Sequence, residues 1–250
     1  MKTNIQILAR ILCIVALLIF LPTVQGTAKE TQKKGSGNAS MHLHHMHTMM
    51  NHGLIMALQG SNLVMLSEMK MAPGVDEITL SHGKKMIADG KAMLNDMLSG
   101  ERMAAMHKGR LANSPLMTYT HELAKASLTV IAGLEEMNMG DMTSPDAMKM
   151  HHMHIALNHA LEMAAEGSNL VMMGQMGMAK GVDKHTVDHG KEMISDSIKL
   201  WKEVMGGTAM ADMHTAGTTP NASATMGDTH KLASDQKKVL DLLTNMPVMK

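Results

Sequence analysis

Histidine and methionine recur in this 250-residue chain at a spacing that suits metal coordination. It holds 33 Met and 16 His. Residues four apart on a helix lie one turn apart on the same face, where two side chains can grip one ion. The first half carries Met41 with His45, His52 with Met56, His82 with Met86, and Met103 with His107. The second half carries Met148 with His152, His159 with Met163, His189 with Met193, and Met210 with His214. Two HHMH runs add His44 and His47, and His151 and His154. Met65 with Met69, and Met172 with Met176, make purely thioether pairs.

The mixture has a chemical logic. Thioether sulfur is soft, uncharged and never protonated, so it favours Cu(I), or Ag(I) by the same reasoning, over Mg, Ca and Mn; imidazole adds affinity and also takes Cu(II), Zn or Ni. Each such residue also has a plainer reading. A Met at helical spacing usually packs a core, and a lone histidine such as His121 or His230 is usually a surface or hydrogen-bonded residue.

Self-comparison separates the two readings. The segment 44–87 lies ungapped over 151–194, HHMHTMMNHGLIMALQGSNLVM over HHMHIALNHALEMAAEGSNLVM. MAAMH (103–107) then lies over MADMH (210–214), and, after a small insertion, THELA (120–124) over THKLA (229–233). Seven His pairs persist between the copies, whereas His42 and His185 have no counterpart. The chain therefore divides into unit 1, residues 41–140, and unit 2, residues 141–250.

Apolar residues recur every three to four positions and strand-like alternation is absent, so each unit reads as three to four helices. A long helix over about 42–71 should end at the APG turn with Gly74 as its left-handed cap. Asp76 should cap a second helix to about Leu98, as Asp183 should in unit 2. A short turn or helix carries MAAMH. Ser114-Pro115 opens a helix to about Met137 and Ser144-Pro145 opens the long helix of unit 2; the last helix covers 229–246. GSN at 60–62 and 167–169 either kinks the long helix or admits a close neighbour. Residues 27–40 read as a flexible leader and 206–228 as a mobile loop, each with an N-A-S glycosylation triplet, at Asn38 and Asn221.

The N-terminus reads as a secretory signal over 1–26: a basic start at Lys2 and Arg10, an apolar run from Ile11 to Leu21, and small residues before a cut near Gly26. The run is too short for a bilayer span, so no stable membrane span is expected after cleavage. Cys13, the single cysteine, leaves with it. An exported protein cannot count on reduced thiols, and Met and His then replace Cys as copper ligands. Without Lys2 and Arg10, the 23 basic residues become 21 against 23 acidic, which gives nucleic acid nothing to bind. The chain contains no Glu-x-x-His, HExxH or GxSxG, so no enzyme chemistry is expected.

This arrangement resembles that of exported bacterial Met/His-rich copper- and silver-binding proteins. The run HHMHxxxNHxxxM, at 44–56 and 151–163, is similar to the opening of a ferritin-like helical domain that begins with paired His followed by Met. The resemblance implies a helical bundle and, in some members, periplasmic copper binding. The expectation is an exported (periplasmic or secreted) all-α tandem protein that binds copper, with Cu(I) favoured and silver or zinc as further cargo. It would buffer, store or deliver the ion, with a metal exporter or metallochaperone as partner. Two alternatives stand beside it: a helical structural or interaction module with a Met-rich core, and a methionine-based oxidant sink.

Overall fold

The computed structural model of the protein describes residues 37–71, 73–107, 114–137, 145–208, 210–211 and 220–247. The expected signal segment, residues 1–26, lies outside them, as do Ser144 and His214. The described residues fall in one compact unit, Ser36–Lys250. The fold is all-α. Its helices are α1 (Gly37–Glu68), α2 (Asp76–Ser99), α3 (Glu101–His107), α4 (Pro115–Glu136), α5 (Pro145–Gln175), α6 (Asp183–Gly206) and α7 (Pro220–Thr244).

The packing follows the internal repeat. α1 pairs with α2, and α5 with α6, as two helical hairpins. The long helices α1 and α5 also pack on each other, α4 packs on α7, and α4 and α7 cover their own hairpins. A core of Leu, Ile, Val and Ala fills the middle, including Leu54, Leu58, Leu123, Ile131, Leu161 and Leu240.

Glycine settles the question raised by GSN. A Cβ on Gly60 would lie 2.6 Å from the Gly83 carbonyl oxygen, and one on Gly167 would lie 2.6 Å from that of Gly190. Each hairpin therefore brings two backbones together at a point where a side chain would collide. Ser61 and Ser168 are buried, and the asparagines beside them join the two long helices. Asn51 Nδ2 donates to Asn169 Oδ1 at 2.8 Å, and Asn158 Nδ2 donates to Asn62 Oδ1 at 2.9 Å. Asn158 and Asn169 are the repeat counterparts of Asn51 and Asn62, so the seam between α1 and α5 is reciprocal, like an isologous interface within one chain.

Several termini differ from expectation. α1 ends in a Schellman motif, in which Met71 N–H donates to Leu66 O at 3.1 Å and Lys70 N–H to Ser67 O at 3.0 Å. The left-handed residue is therefore Lys70 (φ 55°), with Gly177 (φ 66°) in its place after α5; Gly74 (φ 87°) turns the following loop. Asp76 and Asp183 do not cap. Val75 and Val182 hold the N-cap positions without a side-chain hydrogen bond, and the two aspartates sit in the first turn, where negative charge suits the helix dipole. Ser114 does cap, accepting from Met117 N–H at 3.1 Å with Pro115 behind it. α1 includes residues 37–40, expected in the leader, and α7 begins at Pro220, within the expected loop. The segments NASM (38–41) and NASAT (221–225) enter helices that start at Gly37 and Pro220.

Candidate metal centre

The HHMH run does not act as one grip, because consecutive helical residues point around the axis. His44, Met46 and His47 turn into the bundle, while His45 faces solvent. In unit 2, His151, Met153 and His154 are buried and His152 is exposed.

Met46 meets Met103 of α3 and Met117 of α4 in a buried cluster of thioether side chains, with Met97 of α2 packed against it. Four helices meet there, and among the described residues each hydrophobic side chain of the cluster is methionine. A second cluster joins Met150 and Met153 of α5 to Met210, just beyond α6, with Val204 and Met205 packed against it. Met153 and Met210 are the counterparts of Met46 and Met103. The contrast with the central core is sharp: of its twenty buried residues, Met50 is the single methionine.

Neutral imidazoles flank both clusters. His47 stacks on Tyr119, close in sequence to Met117, with ring centroids 5.7 Å apart, and its Nε2 lies 3.1 Å from Ser168 Oγ. His154 Nε2 lies 2.8 Å from Thr229 Oγ1, which is itself 3.8 Å from Met150 Sδ. Burial, helped by the neighbouring His44, lowers the pKa of His47 from 6.5 to about 3. Burial and His151 lower that of His154 to about 4, and burial and His152 lower that of His151 to about 4. His44 is lowered by the same two kinds of cause, burial first and His45 second. A neutral ring is the form that can ligate a metal, and the Nδ1 atoms of His44, His47 and His154 are buried without a hydrogen-bond partner.

The His/Met pairs read from spacing lie mostly on the outside. Met41 and Met148 are exposed, as are His52, His82, His159 and His189, while Met56, Met86, Met163 and Met193 are half-buried. His159 stands 3.9 Å from Glu162, whose carboxylate raises its pKa despite partial burial. His189 lies beside Glu192 at 4.0 Å and stacks on His185. Among the described residues no three His or carboxylate side chains converge into an ion site. The Met103–His107 pair splits by depth: Met103 is buried and His107, at the last position of α3, is exposed. One turn advances about 5.4 Å along a helix, enough at the end of a short one to pass from core to solvent.

Met117 and His121 belong with these residues, although the expected ligand set omits them. Their signal is present in the sequence, since MTYTH at 117–121 repeats the Met-x-x-x-His spacing and recurs as MGDTH at 226–230. The match between the two units resumes only at Thr120, which leaves Met117 just outside it.

Compared with known proteins, the chain matches no family, no curated protein and no solved structure. Among the described residues no helix is long and apolar enough to cross a membrane.

Proposed function

We propose that this protein is an exported binder of soft metal ions, copper(I) first and silver(I) by the same chemistry. It buffers, stores or delivers them through reversible coordination by Met and His, with no covalent step. The observation that carries this reading is the segregation of methionine. The central core is mostly Leu, Ile, Val and Ala, with Met50 its single buried methionine, while Met46, Met103 and Met117, and likewise Met150, Met153 and Met210, gather apart from it; Met65 and Met172 are buried outside these groups. A core that needed only packing would place Met as a scattered gap-filler, because its flexibility specifies a core poorly. Three thioethers buried together from different helices, with His47 next to Met46 in sequence, offer a donor set that would accept a soft monovalent cation and reject hard ones.

X-ray absorption on the Cu(I)-loaded protein tests the reading. The expected result is a first shell dominated by sulfur, which weakens when Met46, Met103 and Met117 are replaced by Leu. A shell of nitrogen and oxygen alone would count against it. The exposed Met41, Met71 and Met178 favour a second role for the surface, as sites of reversible oxidation to sulfoxide. Peroxide treatment should then oxidise these residues well before Met46 and Met103.

A further inference from the structure

One side-chain pair stands outside the thioether reading. His107, ending α3, and His121, on α4, bring their Nε2 atoms to 2.8 Å, with ring centroids 5.0 Å apart and planes tilted by 34°. We propose that His107 and His121 form a two-imidazole site for a divalent first-row ion of the Cu(II), Ni(II) or Zn(II) class, on the surface one helical turn outside the Met46–Met103–Met117 cluster.

The distance is the first argument. Two nitrogens that each bind one ion at roughly 2.0–2.1 Å stand about 2.9 Å apart at a right angle and about 3.3 Å apart in a tetrahedron. The observed N–N separation of 2.8 Å is therefore within a few tenths of an ångström of chelate spacing; the 5.0 Å between ring centroids shows the rings pointing almost at each other, so both must turn about their side-chain torsions to aim at one ion. The pair is also accessible. His107 is exposed and His121 half-buried, so the remaining coordination positions open to water or to an incoming donor. The spacings are paired too. Met103 stands one helical turn before His107, and Met117 one turn before His121. Each helix therefore sends a thioether inward and an imidazole outward, and the two layers differ in softness. The inner layer suits a soft monovalent ion and the outer one a borderline divalent ion, because imidazole accepts Cu, Zn and Ni alike. In the metal-free protein the same contact is a hydrogen bond from one ring to the other; on metal binding the donor ring carries its proton on Nδ1 instead, exchanged through solvent, so that both Nε2 lone pairs are free for the ion.

This site goes beyond the soft-ion function and does not depend on it. The test titrates Cu(II) into the protein against a competing chelator and follows the histidine ¹⁵N resonances at substoichiometric metal. In the wild type, His107 and His121 should broaden first. H107Q and H121Q should each weaken the tightest Cu(II) equivalent at least ten-fold with unchanged helicity, while H42Q, at an exposed histidine outside the expected ligand set, should not. The double variant M103L/M117L should keep that equivalent, whatever becomes of its Ag(I) binding. If both His variants retain the equivalent, or if other histidines broaden first, the pair is a hydrogen bond only and the proposal fails.

Discussion

Asn51 reaches from α1 to Asn169 on α5, and its repeat counterpart Asn158 returns the same bond to Asn62. Asn51 and Asn158 are almost fully buried, and Asn51 also donates to the Ala165 carbonyl while Gln236 donates to Asn158. Buried amides must find partners, so this seam fixes the register of the two long helices. Losing one partner while the other remains buried costs about 1–3 kcal/mol. Urea unfolding of N51A should show a loss in that range. A double-mutant cycle with N169A should give a coupling of about 1 kcal/mol; purely additive effects would show that the bond carries no energy of its own.

Gly60 and Gly167 are predicted to be intolerant of even one carbon. Gly60→Ala places a methyl against the Gly83 carbonyl oxygen, which sits on backbone and has little room to yield. Overpacking of this kind costs about 1–3 kcal/mol, and it outweighs the helix-propensity gain of about 1 kcal/mol. Thermal unfolding should therefore move down for G60A, whereas G206A, where a Cβ meets nothing, should not fall.

Lys70 adopts a conformation that costs a side-chain-bearing residue about 1 kcal/mol, and Gly177 shows what the same position looks like without that cost. Replacing Lys70 by Gly should raise stability by a few tenths to one kcal/mol, although glycine is normally a loss. Calorimetry on K70G decides it, and a lowered melting temperature would refute the assigned cap.

Acid should destabilise the bundle in a defined window. His47 and His154 titrate at about 3 and about 4 when folded, against 6.5 for an unstrained ring. The unfolded chain therefore binds more protons between those values. Their contribution is intact above pH 6.5 and is lost as the pH falls toward 4. The slope per residue is at most about 1.4 kcal/mol per pH unit. Urea midpoints at pH 7 and pH 5 should show this loss, and it should shrink in H47Q/H154Q.

The elements were legible in the sequence because helical periodicity, Ser114-Pro115 and the repeat all act locally. What escaped depends on tertiary placement. One glycine in a helix reads equally as a kink or a contact until the partner backbone is known, as at Gly60. Asp76 looks like a cap because its type suits the position, yet the cap falls on Val75 just before it. The candidate site was half visible. Met103 followed from its spacing to His107, but its convergence with Met46 and Met117 unites residues of three different helices, and no periodicity reports that.

Whether the gathered thioethers bind a soft ion is read from an anaerobic Cu(I) titration of the protein against a competing chelator, compared with the variant M46L/M103L/M117L, in which volume-conserving replacements keep the fold. Sub-micromolar binding is expected in the wild type, with the loss of at least one equivalent in the variant and helicity unchanged. Equal binding by the two proteins, or none by either, would contradict soft-ion binding by these thioethers.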